Sequence, residues 1–210
     1  MQIEFGCRCG AVGGVVSPAQ PSLSIRVTCY CDDCQAFAHY LGRADLLDAR
    51  GGSDIVQVPP ASVTFTRGWD QIDGVRLGVK GLYRWRARCC QSPLGNTATP
   101  AIPFVGLPAS SFLAEGAGPD AVFGKPRGAI MGQFAIGGAP PGTKGIPLKL
   151  MASTIARVLG WRLRGRTWPH PFFDRETVKP LYSFTTLEQG ERERLRRLCG
   201  PRPAEPVSLA

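Results

Sequence analysis

Apolar and polar positions alternate with a period near two through the first half of the chain. Ile25-Arg26-Val27-Thr28, Ile55-Val56-Gln57-Val58, Val63-Thr64-Phe65-Thr66, Val75-Arg76-Leu77 and Leu82-Tyr83-Arg84-Trp85 each predict a short strand, separated by Gly, Pro and Asp turns. Residues 1–105 are therefore expected to be β-rich. One window breaks the pattern: from Asp32 to Leu41, Cys34, Phe37, Ala38 and Leu41 share a helical face, and Asp32 and Asp33 suit the positive end of a helix dipole.

From Pro100 to Pro147 the chain is crowded with Gly, Pro and Ala, which predicts loops and short strands. Leu150 to Arg166 changes character. Met151, Ile155, Val158 and Leu159 fall on one face and Arg157, Arg162, Arg164 and Arg166 are available to the other, the pattern of an amphipathic helix packed on the core with its arginines in water. A last short helix is expected from about Leu187 to Leu198, with Thr186 as its cap and Gly200-Pro201 as its stop. No internal repeat is visible.

Composition narrows the picture. With 43% hydrophobic and 20% charged residues, the 210-residue chain is in the ordinary globular range. No run approaches the roughly 18 apolar residues of a membrane span, and Met-Gln-Ile-Glu-Phe-Gly lacks the regions of a secretory signal, so a cytoplasmic protein without a membrane partner is expected. The net charge of +9 is uneven: residues 1–148 carry 13 Lys and Arg against 10 Asp and Glu, and residues 149–210 carry 12 against 6. Such a balance suits nucleic acid, acidic lipid or a small polyanion without choosing among them, and equally a solvated basic face.

The eight cysteines carry the chemistry. In a reducing compartment, close Cys spacings point to metal or redox chemistry and away from structural disulfides. Cys7-Arg8-Cys9, if extended, turns two thiols to one side. Cys29-Tyr30-Cys31-Asp32-Asp33-Cys34 packs three thiols into six residues, the third at a helix start that favours its thiolate. Cys89 and Cys90 follow the strand that ends near Arg88 and precede Gln91-Ser92-Pro93-Leu94-Gly95, read as a turn. Neighbouring strand residues face opposite ways, so one of the pair is expected to join a given metal. Tetrahedral zinc takes four ligands when structural and three plus an open position when catalytic, so Cys29, Cys31 and Cys34 suit an open site, and Cys7, Cys9 and one or other of Cys89 and Cys90 a second, closed or nearly closed one. Cys199, in the charged final helix, is expected to stay unligated.

In Cys7-x-Cys9-Gly10-x-Val12, Cys29-x-Cys31-x-x-Cys34 and Cys90 followed by Ser92-Pro93-Leu94, the chain resembles the glutathione-dependent formaldehyde-activating enzyme family, which includes the centromere protein V type domains. The resemblance covers about residues 1–113. It implies a mainly β, β-tent zinc-binding domain over 1–113; the Gly/Pro-rich and basic extension read over 114–210, with one or two helices, has no counterpart in the family core. It further implies a catalytic zinc on Cys29, Cys31 and Cys34, structural roles for Cys7, Cys9 and Cys90, and the joining of formaldehyde to glutathione as S-hydroxymethylglutathione. Where the family usually has a C-x-x-C-G knuckle, this chain reads Ala87-Arg88-Cys89-Cys90-Gln91, with the ligand moved to Cys89 or lost and the glycine gone.

Zinc held by thiolates is a modest Lewis acid suited to presenting another thiolate, so the expected reaction class is thiol–carbonyl addition, a carbon–sulfur lyase chemistry with a small thiol such as glutathione as partner. Arg26, Arg84, Arg86 and Arg88 are candidates for substrate carboxylates. Of the two histidines, His39 is read as a surface residue of the short helix, and His170, in Trp168-Pro169-His170-Pro171, is assigned no role. Gly137 to Lys144 has its Lys and Thr in the wrong order for a phosphate loop, and two prolines remove needed donors. The rival classes are a noncatalytic zinc module that binds a protein or nucleic acid through its basic extension, nucleic acid being disfavoured, and a redox sensor working through Cys89 and Cys90.

Overall fold

The computed structural model describes residues 1–112 and 118–201. Its strands are β1 (Ile3–Gly6), β2 (Gly13–Val16), β3 (Ile25–Cys29), β4 (Ser53–Val58), β5 (Val63–Arg67), β6 (Ile72–Arg76), β7 (Tyr83–Ala87), β8 (Ser92–Thr97) and β9 (Val105–Pro108), of which β3 to β7 arise from the five period-two segments. Helix α1 (Asp32–Tyr40) lies between β3 and β4, where the helical periodicity placed it. The second half adds α2 (Pro119–Phe123), β10 (Ala129–Ile130), α3 (Leu148–Leu163), β11 (Phe184–Thr186) and α4 (Gln189–Arg196). The fold is thus mainly β with helices toward the C-terminus.

Two sheets hold the strands: a small one in the order β1-β2-β5, and an eight-stranded one in the order β10-β3-β4-β9-β8-β7-β6-β11. The first half pairs antiparallel throughout, and the second half caps both edges of the large sheet with parallel strands, β10 on β3 and β11 on β6. Covering both edges removes rows of unpaired backbone groups. Phe172 and Phe173 join one buried cluster with Phe5, Val56, Phe65, Trp85 and Leu107, so the core draws on both halves of the chain. Trp85 stacks on Phe172 with ring centroids 4.8 Å apart and donates its indole N–H to Thr97 at 2.9 Å. The boundary expected at 113/114 falls outside the described residues.

Three local expectations change. Residues 92–95 belong to β8 and are buried throughout, although Pro and Gly made them read as a turn. The register with β7 shifts between Trp85 and Arg86, opposite Gly95 and Pro93, and such an irregularity tolerates a residue without an N–H. Thr186 ends β11 instead of capping α4, whose N-cap is Glu188. Helix α3 packs through Leu150, Val158 and Trp161 on Ile25 and Val27, whereas Met151, Ile155 and Leu159 face outward. Its apolar residues are too many for one core face.

Turns bring the cysteines into place. The β1–β2 hairpin carries Cys7 and Cys9 on a loop closed by Gly10 N–H to Cys7 O at 3.0 Å, with Gly10 in the left-handed region at φ +79°. Gly68, at φ +77°, passes so close that a Cβ there would lie 2.2 Å from the Ala11 carbonyl oxygen. A side chain at 68 would push this loop away.

Candidate metal centres

The structure gathers the cysteines into two groups, Cys7, Cys9, Cys89 and Cys90 in one and Cys29, Cys31 and Cys34 in the other, the sulfurs of each group all lying within 4.8 Å of one another. In the first, Cys7 Sγ is 3.5 Å from Cys9 Sγ and 3.8 Å from Cys89 Sγ, Cys9 to Cys89 is 3.4 Å, and Cys89 to Cys90 is 3.8 Å. Metal–sulfur bonds of about 2.3 Å at tetrahedral angles separate sulfurs by about 3.8 Å, so the donors fit around one ion.

Both adjacent cysteines join this group. Strand alternation would have turned one away, but β7 stops at Ala87 and Arg88 to Gln91 form a turn, with Gln91 in the left-handed region at φ 55°. The Gln91 side chain is put to use there, accepting from Arg86 at 2.8 Å and donating to the Arg88 carbonyl at 3.1 Å. Ser92, whose part in the site was not legible from the sequence, accepts the Arg8 N–H at 3.1 Å and lies 3.2 Å from Cys90 Sγ, tying the two loops together. Burial pushes the Cys90 thiol up, but hydrogen bonding from Ser92 and Cys9 outweighs it and brings the thiol to about 6.

The second group sits where β3 runs into α1. Cys31 is the N-cap of α1 and its sulfur accepts the Cys34 N–H at 3.3 Å. Hydrogen bonds from Cys29 and then Cys31, aided by the charge of Arg84, hold the Cys34 thiol well below its ordinary range, while bonding to Cys31 and Cys34 pushes Cys29 up. A metal arriving here finds one sulfur ready and displaces protons from the others.

Of the four candidate arginines, the structure brings one to this group. Alternation on β7 turns Trp85 into the core and Arg84 toward α1. Arg84 is only 2% exposed; its Nη1 lies 3.8 Å from Cys34 Sγ and 3.4 Å from Asn96 Oδ1, and its guanidinium sits over the Phe37 ring. Burial lowers its pKa, but the Cys34 and Cys31 charges outweigh this and keep it a cation. Asn96, directly opposite Arg84 in the β7–β8 register, went unnoticed in the sequence; only that pairing identifies it. Arg26 instead pairs with Asp54 and Asp120, Arg86 with Asp73, and Arg88 reaches the Asp70 carbonyl.

A cavity of about 50 Å³ lies beside Cys34, lined by Phe37, Leu41, Ile55, Arg84, Pro93, Asn96 and Ser110 among others. Its walls are mostly apolar, with Ser53, Asp54, Arg84, Asn96 and Ser110 as the polar residues. Cys34 of the three-cysteine group therefore borders a small, partly open cavity, whereas the four-cysteine group supplies a full tetrahedral set by itself.

The last helix braces α1. Arg196 pairs with Asp32 and with Asp33, and the fully buried Gln35 donates to the Tyr30 carbonyl at 2.7 Å and the Phe134 carbonyl at 3.0 Å while accepting the Gly200 N–H at 2.8 Å. Cys199 belongs to neither group; its sulfur is 3.4 Å from the Asp32 carbonyl oxygen. His39 is half-buried on α1. His170 is buried, its Nδ1 accepting the Phe172 N–H at 3.1 Å.

No helix among the described residues is long and apolar enough to cross a membrane. No curated protein sequence matches the chain. A Rhodobacter sphaeroides protein known from a crystal structure is similar at 16% identity and a TM-score of 0.42, over 60% of this chain and 99% of its own. The profile of a family of unknown function, DUF6151, matches residues 2–182, and the chain belongs to that family.

Proposed function

We propose that the protein is a zinc-dependent carbon–sulfur lyase that joins a small aldehyde to a thiol at Cys29, Cys31 and Cys34, with glutathione as the reference thiol. The observation that carries this is the pairing of a three-sulfur group with a small cavity walled by a buried arginine. Cys7, Cys9, Cys89 and Cys90 hold a second, structural zinc. When bound, the zinc at the three-cysteine group supplies a Lewis-acid position that favours the thiolate of an incoming thiol.

The chain's own residues do the rest. Arg84 holds a fixed positive charge against Cys34 and offsets the negative charge that three thiolates leave around a divalent ion. The cavity beside Cys34 is small, about 50 Å³, which suits a one-carbon carbonyl compound better than a larger aldehyde. Phe37, Leu41 and Ile55 keep the space apolar, and Asn96 offers an amide to a carbonyl oxygen. In the reaction the thiol sulfur forms a bond to the carbonyl carbon, the carbonyl π bond opens, and the proton lost by the thiol ends on that oxygen. Positioning two small reactants accounts for most of the rate gain such a site gives.

Exchange spectroscopy of formaldehyde with glutathione, comparing the wild type with Cys31→Ser, tests the proposal. Faster exchange that the substitution abolishes supports it; equal rates with both proteins refute it.

A further inference from the structure

Helix α3 presents an apolar stripe to solvent. Leu148, Met151, Ile155, Leu159 and Leu163 recur every three or four residues along one side, and Leu148, Ile155 and Leu163 are 76%, 60% and 78% exposed. The opposite side is already satisfied by Leu150, Val158 and Trp161 against β3. A surface helix needs one apolar face to hold it; this one has two.

Charge around the stripe has a single sign. From Ala121 to Phe173 the chain has eight Lys and Arg and no Asp or Glu. Lys149 and Arg162 border the stripe, Arg164 and Arg166 follow at its C-terminal end, and among the described residues none of them forms an ion pair. Arg162 is fastened to the Ala101 carbonyl at 2.7 Å, which fixes it at the edge of the apolar surface. A second copy pairing helix to helix would set arginine against arginine with no acid between them. A nucleic acid would leave the leucines in water. The stripe is convex, so it also lacks the groove that an acidic helix or peptide would need.

We infer that α3 docks in the plane of an anionic lipid surface, its leucines entering the acyl boundary and Lys149, Arg162, Arg164 and Arg166 meeting the headgroups. The helix of 16 residues is about 24 Å long, enough to lie on a bilayer and too short to cross one. This reverses the expectation that the protein has no membrane partner, and it is independent of the chemistry at the cysteines.

Cosedimentation with lipid vesicles tests the inference on the full-length, metal-loaded protein. Binding is expected to phosphatidylcholine vesicles that contain about one third phosphatidylglycerol, and not to phosphatidylcholine alone. Ile155→Ser with Leu159→Ser should abolish it. Both residues are exposed, so unchanged circular dichroism and metal content would show that the fold is intact. Arg164→Ser and Arg166→Ser should each weaken binding about fivefold, the factor set by one surface charge. Equal pelleting of the wild type and the Ile155/Leu159 variant overturns the inference, as does a wild type that stays in the supernatant. A dimer in sedimentation velocity that the same variant dissociates would also overturn it, by placing a second copy on the stripe.

Discussion

Arg84→Met removes a buried positive charge while keeping most of the side chain's bulk, and its expected effect is on metal affinity more than on folding. At 3.8 Å from Cys34 Sγ, a unit charge pair in an effective dielectric of about 20 interacts by about 4 kcal/mol. A bound divalent ion leaves one net negative charge spread over three sulfurs, so Arg84 meets between a third of that charge and all of it. The loss is then about 1.5 to 4 kcal/mol, or roughly ten- to a thousandfold in zinc affinity. Because Arg84 also helps hold the Cys34 thiol low, the variant's affinity should fall more steeply as pH drops. Competition with a chromophoric chelator between pH 6 and 8 measures both effects, and the four-cysteine group, to which Arg84 does not belong, is the internal control. Equal zinc affinity of the wild type and Arg84→Met at the three-cysteine group would refute the reasoning. Arg84→Lys should recover part of the loss.

Metal analysis should give two zinc per chain, and Cys9→Ser should lower this to one while reducing the melting temperature, since binding at a structural site contributes to folding. A Cys9→Ser protein that retains both ions would contradict the assignment of the first group. Phe172→Ala, which strips the ring stacked on Trp85, should cost about 3 to 5 kcal/mol in denaturant unfolding, and a loss below about 1 kcal/mol would show that the second half does not brace the core. Burial holds His170 down to about 4, so the folded protein keeps it neutral while the unfolded chain takes up a proton below about 6.5. Stability should therefore fall as pH drops from 6.5 to 4, by at most about 3 kcal/mol, and level off below that. His170→Phe should flatten this part of the profile, and an unchanged slope would assign it to other groups.

Strands β3 to β7 were legible because apolar and polar residues alternate along them, and α1 because Cys34, Phe37 and Leu41 answer to a different period. The cysteine pairs and the trio were legible because short Cys spacings survive as short distances, whereas the meeting of Cys7 with Cys89, 82 positions on, is made by the fold. What the sequence concealed depends on partners far along the chain. β8 hides behind Pro93 and Gly95, which look like a turn until the irregularity opposite them is seen. Arg84 stood beside Arg26, Arg86 and Arg88 as one of four similar residues, and only its pairing with Asn96 and the approach of Cys34 distinguish it. In α3 the apolar periodicity was real, yet periodicity does not reveal which of two apolar faces turns inward.

The brace on α1 bears on how the protein is made. Gln35 receives its bond from Gly200, 165 positions later, and Asp32 and Asp33 wait for Arg196. On the ribosome, where chains lengthen by about 5–20 residues per second, Cys29, Cys31 and Cys34 emerge many seconds before the helix that clamps them. Until α4 has been made that corner lacks its clamp, and completion of the last turn of α4 closes the period in which a metal taken up by the three sulfurs would exchange most easily.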